Sequence, residues 1–194
     1  MAPGSMPLIT LVCGASGVGK SYVATALAAR DGVPVGQADD IVTALTVMTS
    51  SEQHPMLHFW ADHPEAWTWP AEKIADLHIQ VANYLSPAFA AVIDDHVQSG
   101  TPVLLEGDYL LPELALPYDH GVVRAVVLDE PDEHQLLKNF RGREPGHGDQ
   151  HRRAEVSALV GTRLVECARQ AGIPVVPARP WASQLSRIDH ALTG

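Results

Sequence analysis

A doubly wound α/β domain of about five parallel strands is the fold class this sequence predicts, and three observations carry that reading. Short, almost wholly apolar runs recur along the chain, each followed by a stretch of helical periodicity. The runs do not alternate polar with apolar, which is the pattern of strands covered by helices on both faces. Turn-forming clusters, "DG" at 31–32 and "SGTP" at 99–102 among them, stop one element just before the next begins.

Taken in order, the strands are expected at Leu8–Cys13, Val33–Val35, Pro102–Glu106, Val122–Leu128 and Ile173–Val176. Helices fill the gaps at Lys20–Arg30, Asp40–Thr49, Ala71–Gln98 with a break near Ser86 and Pro87, Asp132–Phe140, His151–Ala171 and Ser183–Leu192. Two segments fit this alternation badly. Residues 50–70 hold three of the four tryptophans, three histidines and three prolines, and residues 141–151 are polar and glycine-rich. Long excursions in a compact domain are more often functional than ornamental.

The 194 residues suit one domain, and with 46% hydrophobic and 19% charged residues the chain can bury a sizeable core. A net charge of −10 argues against nucleic acid and anionic membrane as partners unless the few cations cluster. Cys13 and Cys167 lack metal-type spacing and read as core thiols of a cytoplasmic protein. Residues 1–7 carry no basic leader pattern, and no apolar run approaches the roughly 18 residues a membrane span needs.

One stretch carries a specific chemistry. Gly14, Ala15, Ser16, Gly17, Val18, Gly19, Lys20 and Ser21 match G-x-x-x-x-G-K-[ST] without a mismatch, after a strand and before a helix. Glycines let successive backbone N–H groups turn inward as an anion nest, and the helix beginning at Lys20 aims its positive end at the same place. Lys20 neutralises the outer phosphates of a nucleoside triphosphate in this reading, and the Ser21 hydroxyl ligates Mg²⁺. The motif makes the fold a P-loop NTPase three-layer α/β/α sandwich.

Three further groups complete a site. Glu106 ends the third strand, where an acid holds the magnesium shell, directly or through water, with Asp108 two residues on. Asp39 and Asp40 follow the second strand; either caps the next helix or faces the γ-phosphate to accept a proton from an incoming hydroxyl. Arg141, Arg143, Arg152 and Arg153 crowd into one short glycine-containing segment of an acidic chain, as a lid over a polyanion requires.

These residues together resemble the small P-loop kinases, a group that includes nucleoside monophosphate kinases, shikimate and gluconate kinases and chloramphenicol phosphotransferase. "QADDI" and "LLEGDYLLP" are most similar to 2-phosphoglycerate kinase-like proteins. The resemblance implies an ATP-dependent kinase using Mg²⁺, with Asp39, rather than Asp40, at the acceptor hydroxyl or the metal. It also implies Arg141 against the adenine, Arg143 on the phosphates, and the segment "PVVPARPW" beside the nucleobase. It places an acceptor-binding insert at about 50–98 and a lid at about 141–153 within a single domain, 1–194. Val42 stands where the phosphoglycerate kinase pattern has arginine, and Asp108 and Tyr109 replace an apolar–histidine pair. A neutral or cationic acceptor is therefore as consistent with the residues as a phosphorylated one.

Acceptor contacts are expected from Asp40, Trp60, Trp67, Asp108 and Tyr109, since aromatic rings beside carboxylates suit a nucleoside, sugar or antibiotic. The alternative is that the same rings cap the core under a long loop. Histidines 54, 58, 63 and 78 lack the companions of a zinc site. Neither N/T-K-x-D nor D-x-x-G occurs where a GTPase needs them. The remaining rival is a P-loop ATPase module that couples hydrolysis to a partner protein; the kinase reading expects a small-molecule acceptor and a monomer or homodimer.

Overall fold

The computed structural model describes residues 7–193, so the expectation for residues 1–7 falls, except for Pro7, outside the described residues. Five strands, β1 (Ile9–Gly14), β2 (Val35–Gln37), β3 (Val103–Gly107), β4 (Val123–Asp129) and β5 (Val175–Pro177), form one parallel sheet in the order β2-β3-β1-β4-β5. The helices are α1 (Lys20–Asp31), α2 (Ala38–Met48), α3 (Pro55–Asp62), α4 (Ala71–Ser99), α5 (Glu133–Arg143), α6 (His151–Ala171) and α7 (Gln184–Thr193). α1 and α7 pack on one face and α4 and α6 on the other, which gives the three layers that the motif implied. Every residue of β1 and β3 is buried, as the unbroken apolar runs required.

Each expected strand is present with its bounds moved by one or two residues. Three expectations change. The helix expected to break near Ser86 and Pro87 runs unbroken from Ala71 to Ser99. Pro87 faces solvent, while Ile74, Leu77, Val81, Leu85, Phe89 and Ile93 bury one continuous stripe on both sides of it. That burial offsets the roughly 3 kcal/mol that an interior proline costs a helix. The segment 50–70 is not irregular: it contains α3 and a 3-10 turn, Pro64–Thr68. Finally, neither Asp39 nor Asp40 is the N-cap of α2. Gln37 holds that position and both acids stand in the first turn, where their charge complements the helix dipole.

Strand order positions the site. β1 leads to β2 on one side of the sheet and its neighbour β4 leads to β5 on the other, so a crevice opens at their carboxyl ends.

Candidate phosphate-transfer site

The loop between β1 and α1 is shaped by its glycines. Gly14, Gly17 and Gly19 all have positive φ, at 149°, 81° and 94°. A Cβ on Gly14 would lie 2.7 Å from the Leu128 carbonyl oxygen, and one on Gly17 would lie 2.9 Å from the Phe140 ring, so backbone and packing both demand glycine there. Ala15 and Val18 turn into the core.

Side chains then fix the direction of the loop. The carbonyl oxygens of Ala15, Ser16 and Gly17 each accept a hydrogen bond: from Lys20 Nζ at 2.8 Å, from Ser157 Oγ at 2.5 Å and from Asn139 Nδ2 at 2.8 Å. Three consecutive peptide groups are thereby held with their carbonyls engaged by protein, the arrangement a nest of inward N–H groups needs. Gly19 caps α1 without a side-chain hydrogen bond and the first turn holds no acid, so the positive end of that helix is left to a ligand.

A cavity of about 920 Å³ opens over this loop. Lys20, Ser21, Asp39, Glu106 and Asp108 line it, together with Lys138, Arg143, Arg153 and Trp181. Ser21 Oγ donates to Glu106 Oε1 at 2.8 Å, and Glu106 is buried. A hydroxyl and a carboxylate oxygen meeting beside a phosphate nest is a donor set that suits a hard divalent cation such as magnesium.

Asp39 and Asp108 come together through backbone contact. A Cβ on Gly107 would stand 2.3 Å from that of Ala38, so only glycine lets the end of β3 meet the start of α2 this closely. The next residue on each side is an aspartate. Partial burial first, then the Asp108 carboxylate, push the Asp39 carboxyl above the ordinary carboxylate range. Burial pushes Asp108 the same way, but Lys20, which donates to its Oδ1, outweighs this and leaves its carboxyl below the ordinary value.

The arginines form a separate group. Glu144 accepts from Arg153 at 2.6 Å and from Arg143 at 2.9 Å, and these contacts draw its carboxyl down to about 2. Arg153 also lies 4.2 Å over the Phe140 ring, the same ring that abuts Gly17. Arg141 and Arg143 end α5, and Arg152 and Arg153 begin α6, so only 144–150 connects the two helices. Arg141 lies outside the cavity lining, beside His151 at 3.3 Å.

The expected acceptor residues divide. Asp108 lines the cavity; Asp40, Trp60, Trp67 and Tyr109 do not. Tyr109 stacks on His78 with ring centroids 4.4 Å apart, and burial first, then Asp108, raise its hydroxyl to about 12. Trp60 and Trp67 stack at 4.8 Å, Phe59 packs edge-on to Trp60, and Lys73 Nζ sits 3.4 Å from the Trp69 ring centre. Trp60 Nε1 is buried with no hydrogen-bond partner, and Trp67 is exposed.

Sequence reasoning missed Asn139, Ser157, His78 and Lys138. Asn139 and Ser157 are ordinary polar residues on the inner faces of α5 and α6, and nothing local marks them as loop anchors. In the sequence His78 stands out only as a metal-ligand type. Its Nε2 lies 3.2 Å from the Asp108 carbonyl oxygen, and burial lowers its pKa, favouring the neutral ring.

Fold and loop together define a P-loop nucleotide-binding domain with the architecture of the small P-loop kinases. The relatives agree. Over 187 residues the chain is 28% identical to the 2-phosphoglycerate kinase of Methanocaldococcus jannaschii, a match covering 91% of this chain and 60% of that protein. It is 30% identical over 133 residues to a 2-phosphoglycerate kinase of Methanococcus maripaludis, covering 63% of this chain and 42% of that protein. The chain thus spans about half the length of the curated relatives it matches. A gluconokinase from Sinorhizobium meliloti superimposes with a TM-score of 0.58 at 22% identity, covering 98% of this chain and 91% of that one. No family model matches the chain. Among the described residues no helix is long and apolar enough to cross a membrane.

Proposed function

We propose that this protein is an ATP-dependent kinase that transfers the γ-phosphoryl group to a hydroxyl of a small neutral or cationic acceptor. One observation carries the reading: Asp39 lines the same cavity as the glycine loop, Lys20 and Ser21, with its proton affinity raised. In this mechanism the loop amides and Lys20 hold the β- and γ-phosphates. The acceptor oxygen attacks phosphorus in line with the departing ADP oxygen. A P–O bond to the acceptor forms as the bond to ADP breaks, and the hydroxyl proton passes to the Asp39 carboxylate. Arg143 and Arg153 reach the transferring group with planar forks that spread its charge. Ser21 and Glu106 would hold magnesium, which supplies charge neutralisation on the phosphate oxygens when bound.

Acceptor class follows from charge. Between Asp31 and Pro70 the sequence contains no lysine or arginine, while Asp39, Asp40, Asp62 and Glu65 all fall there. A phosphorylated acid would meet carboxylates with no cation of that segment to receive it. A hydroxyl compound without a net negative charge meets no such repulsion.

The test is ADP release from Mg·ATP against a panel of sugars, amino sugars, nucleosides and phosphorylated acids. Release that depends on a neutral or cationic member supports the reading. Release that is the same with no acceptor supports an ATPase module, and release specific to a phosphorylated acid overturns the acceptor class.

A further inference from the structure

Lys20 is 6% exposed and is already engaged by the protein itself. Its ammonium has three N–H donors. One goes to the Ala15 carbonyl oxygen and a second to Asp108 Oδ1. A triphosphate on the loop needs that same ammonium. The Asp108 carboxylate is therefore an internal anion placed on the group that must bind an external one.

The backbone around Asp108 is anchored, and its carboxylate forms an ion pair with Lys20. Gly107 packs on Ala38, and the Asp108 carbonyl oxygen lies 3.2 Å from His78 Nε2, on the ring that stacks against Tyr109. The Asp108 side chain is partly exposed, at 26%, and lines the cavity beside Asp39. Losing Lys20 would leave two neighbouring carboxylates without a shared cation, an unfavourable arrangement until something fills the space between them.

We propose that Asp108 is a displaceable stand-in for phosphate: it holds Lys20 until the β- and γ-phosphates take the ammonium, then faces the acceptor beside Asp39. This rests on the reading that the loop binds a nucleoside triphosphate. Two consequences follow. Nucleotide affinity is reduced by whatever the Lys20–Asp108 pair contributes to the free protein. The acceptor's contact with Asp108 becomes available only after the phosphates are seated, so nucleotide and acceptor tighten each other's binding. Asp108 is a positioning residue in this scheme; the proton goes to Asp39.

The experiment titrates Mg²⁺ and the β,γ-imido analogue of ATP, without acceptor, into the wild-type chain, Asp108→Asn and Asp39→Asn. Asp108→Asn is expected to bind the analogue about tenfold more tightly than wild type, the scale of one charge-assisted hydrogen bond lost by the free protein alone. Asp39→Asn is expected to change affinity far less, because Asp39 makes no hydrogen bond to Lys20. Unchanged or weaker binding by Asp108→Asn overturns the proposal while leaving the nucleotide reading intact. Equal tightening in both variants also overturns it, since net charge would then explain the effect. No binding by wild type removes the nucleotide reading and the proposal together. Should Asp108→Asn fail to fold, Asp108→Ser is read in the same way.

Discussion

The phosphate loop and the helices beyond Asp39 are built on different principles. On the nucleotide side, the loop from Gly14 to Ser21 is fixed by three positive-φ glycines, three anchored carbonyls and the ring of Phe140. On the flank where we propose the acceptor to enter, beyond Asp39, α3 buries no residue fully and α2 buries only Ala38, although α2 is mostly apolar; Val47 and Met48 are about four-fifths exposed. A triphosphate always presents the same oxygens, so one rigid cradle serves. An acceptor must enter, meet Asp39 and leave, and a loosely packed flank allows that. Rigidity marks the chemistry and looseness marks the choice of substrate.

Substitutions can break or sharpen this contrast. The largest effect is expected from Lys20→Ala, which should abolish nucleotide binding in calorimetry while circular dichroism remains that of the folded chain. Asp39→Asn should bind nucleotide yet lower turnover by about 10²-fold or more, the usual scale for losing a general base. Because the Asp39 carboxyl is held above the ordinary carboxylate range, wild-type kcat should fall on the acid side at a pH above that of an unperturbed aspartate. The sign also runs through stability. A group whose charged form is disfavoured by folding destabilises once ionised, so Asp39→Asn should raise the melting temperature at neutral pH even as activity falls.

Replacing Arg143 and Arg153 together by alanine should lower kcat by about 10- to 100-fold with little change in melting temperature, since both are partly exposed side chains of the cavity lining and their carboxylate partner Glu144 belongs to the connecting segment. Trp67→Ala should leave kcat and the KM for ATP close to wild type in steady-state kinetics, since its exposed ring stacks on Trp60 outside the cavity lining. Arg141→Ala is expected to do least: its guanidinium is beside His151 and outside the cavity, and steady-state kinetics close to wild type would confirm that the second arginine of the pair is the one that matters.

Much of this was legible in the residues. The P-loop declares itself because its chemistry needs glycine at fixed offsets, and the parallel sheet declares itself because buried strands cannot hide their apolar runs. Glu106 was legible by its position at a strand end, and the structure places it against Ser21. What sequence could not supply was distance across the fold. Asp39 and Asp108 lie far apart in the chain and meet only because Gly107 admits Ala38. Arg141 and Arg143 look alike in sequence and stand two residues apart on α5, yet only Arg143 lines the cavity. Pro87 misled for a related reason, since local propensity is blind to the core stripe that holds α4 together.

The account rests on a loop that seats a triphosphate, and calorimetry with Mg·ATP on the wild-type chain tests it most directly. A saturable heat, lost in Lys20→Ala, is the expected result. A flat titration with ATP and with every other common nucleoside triphosphate would contradict it.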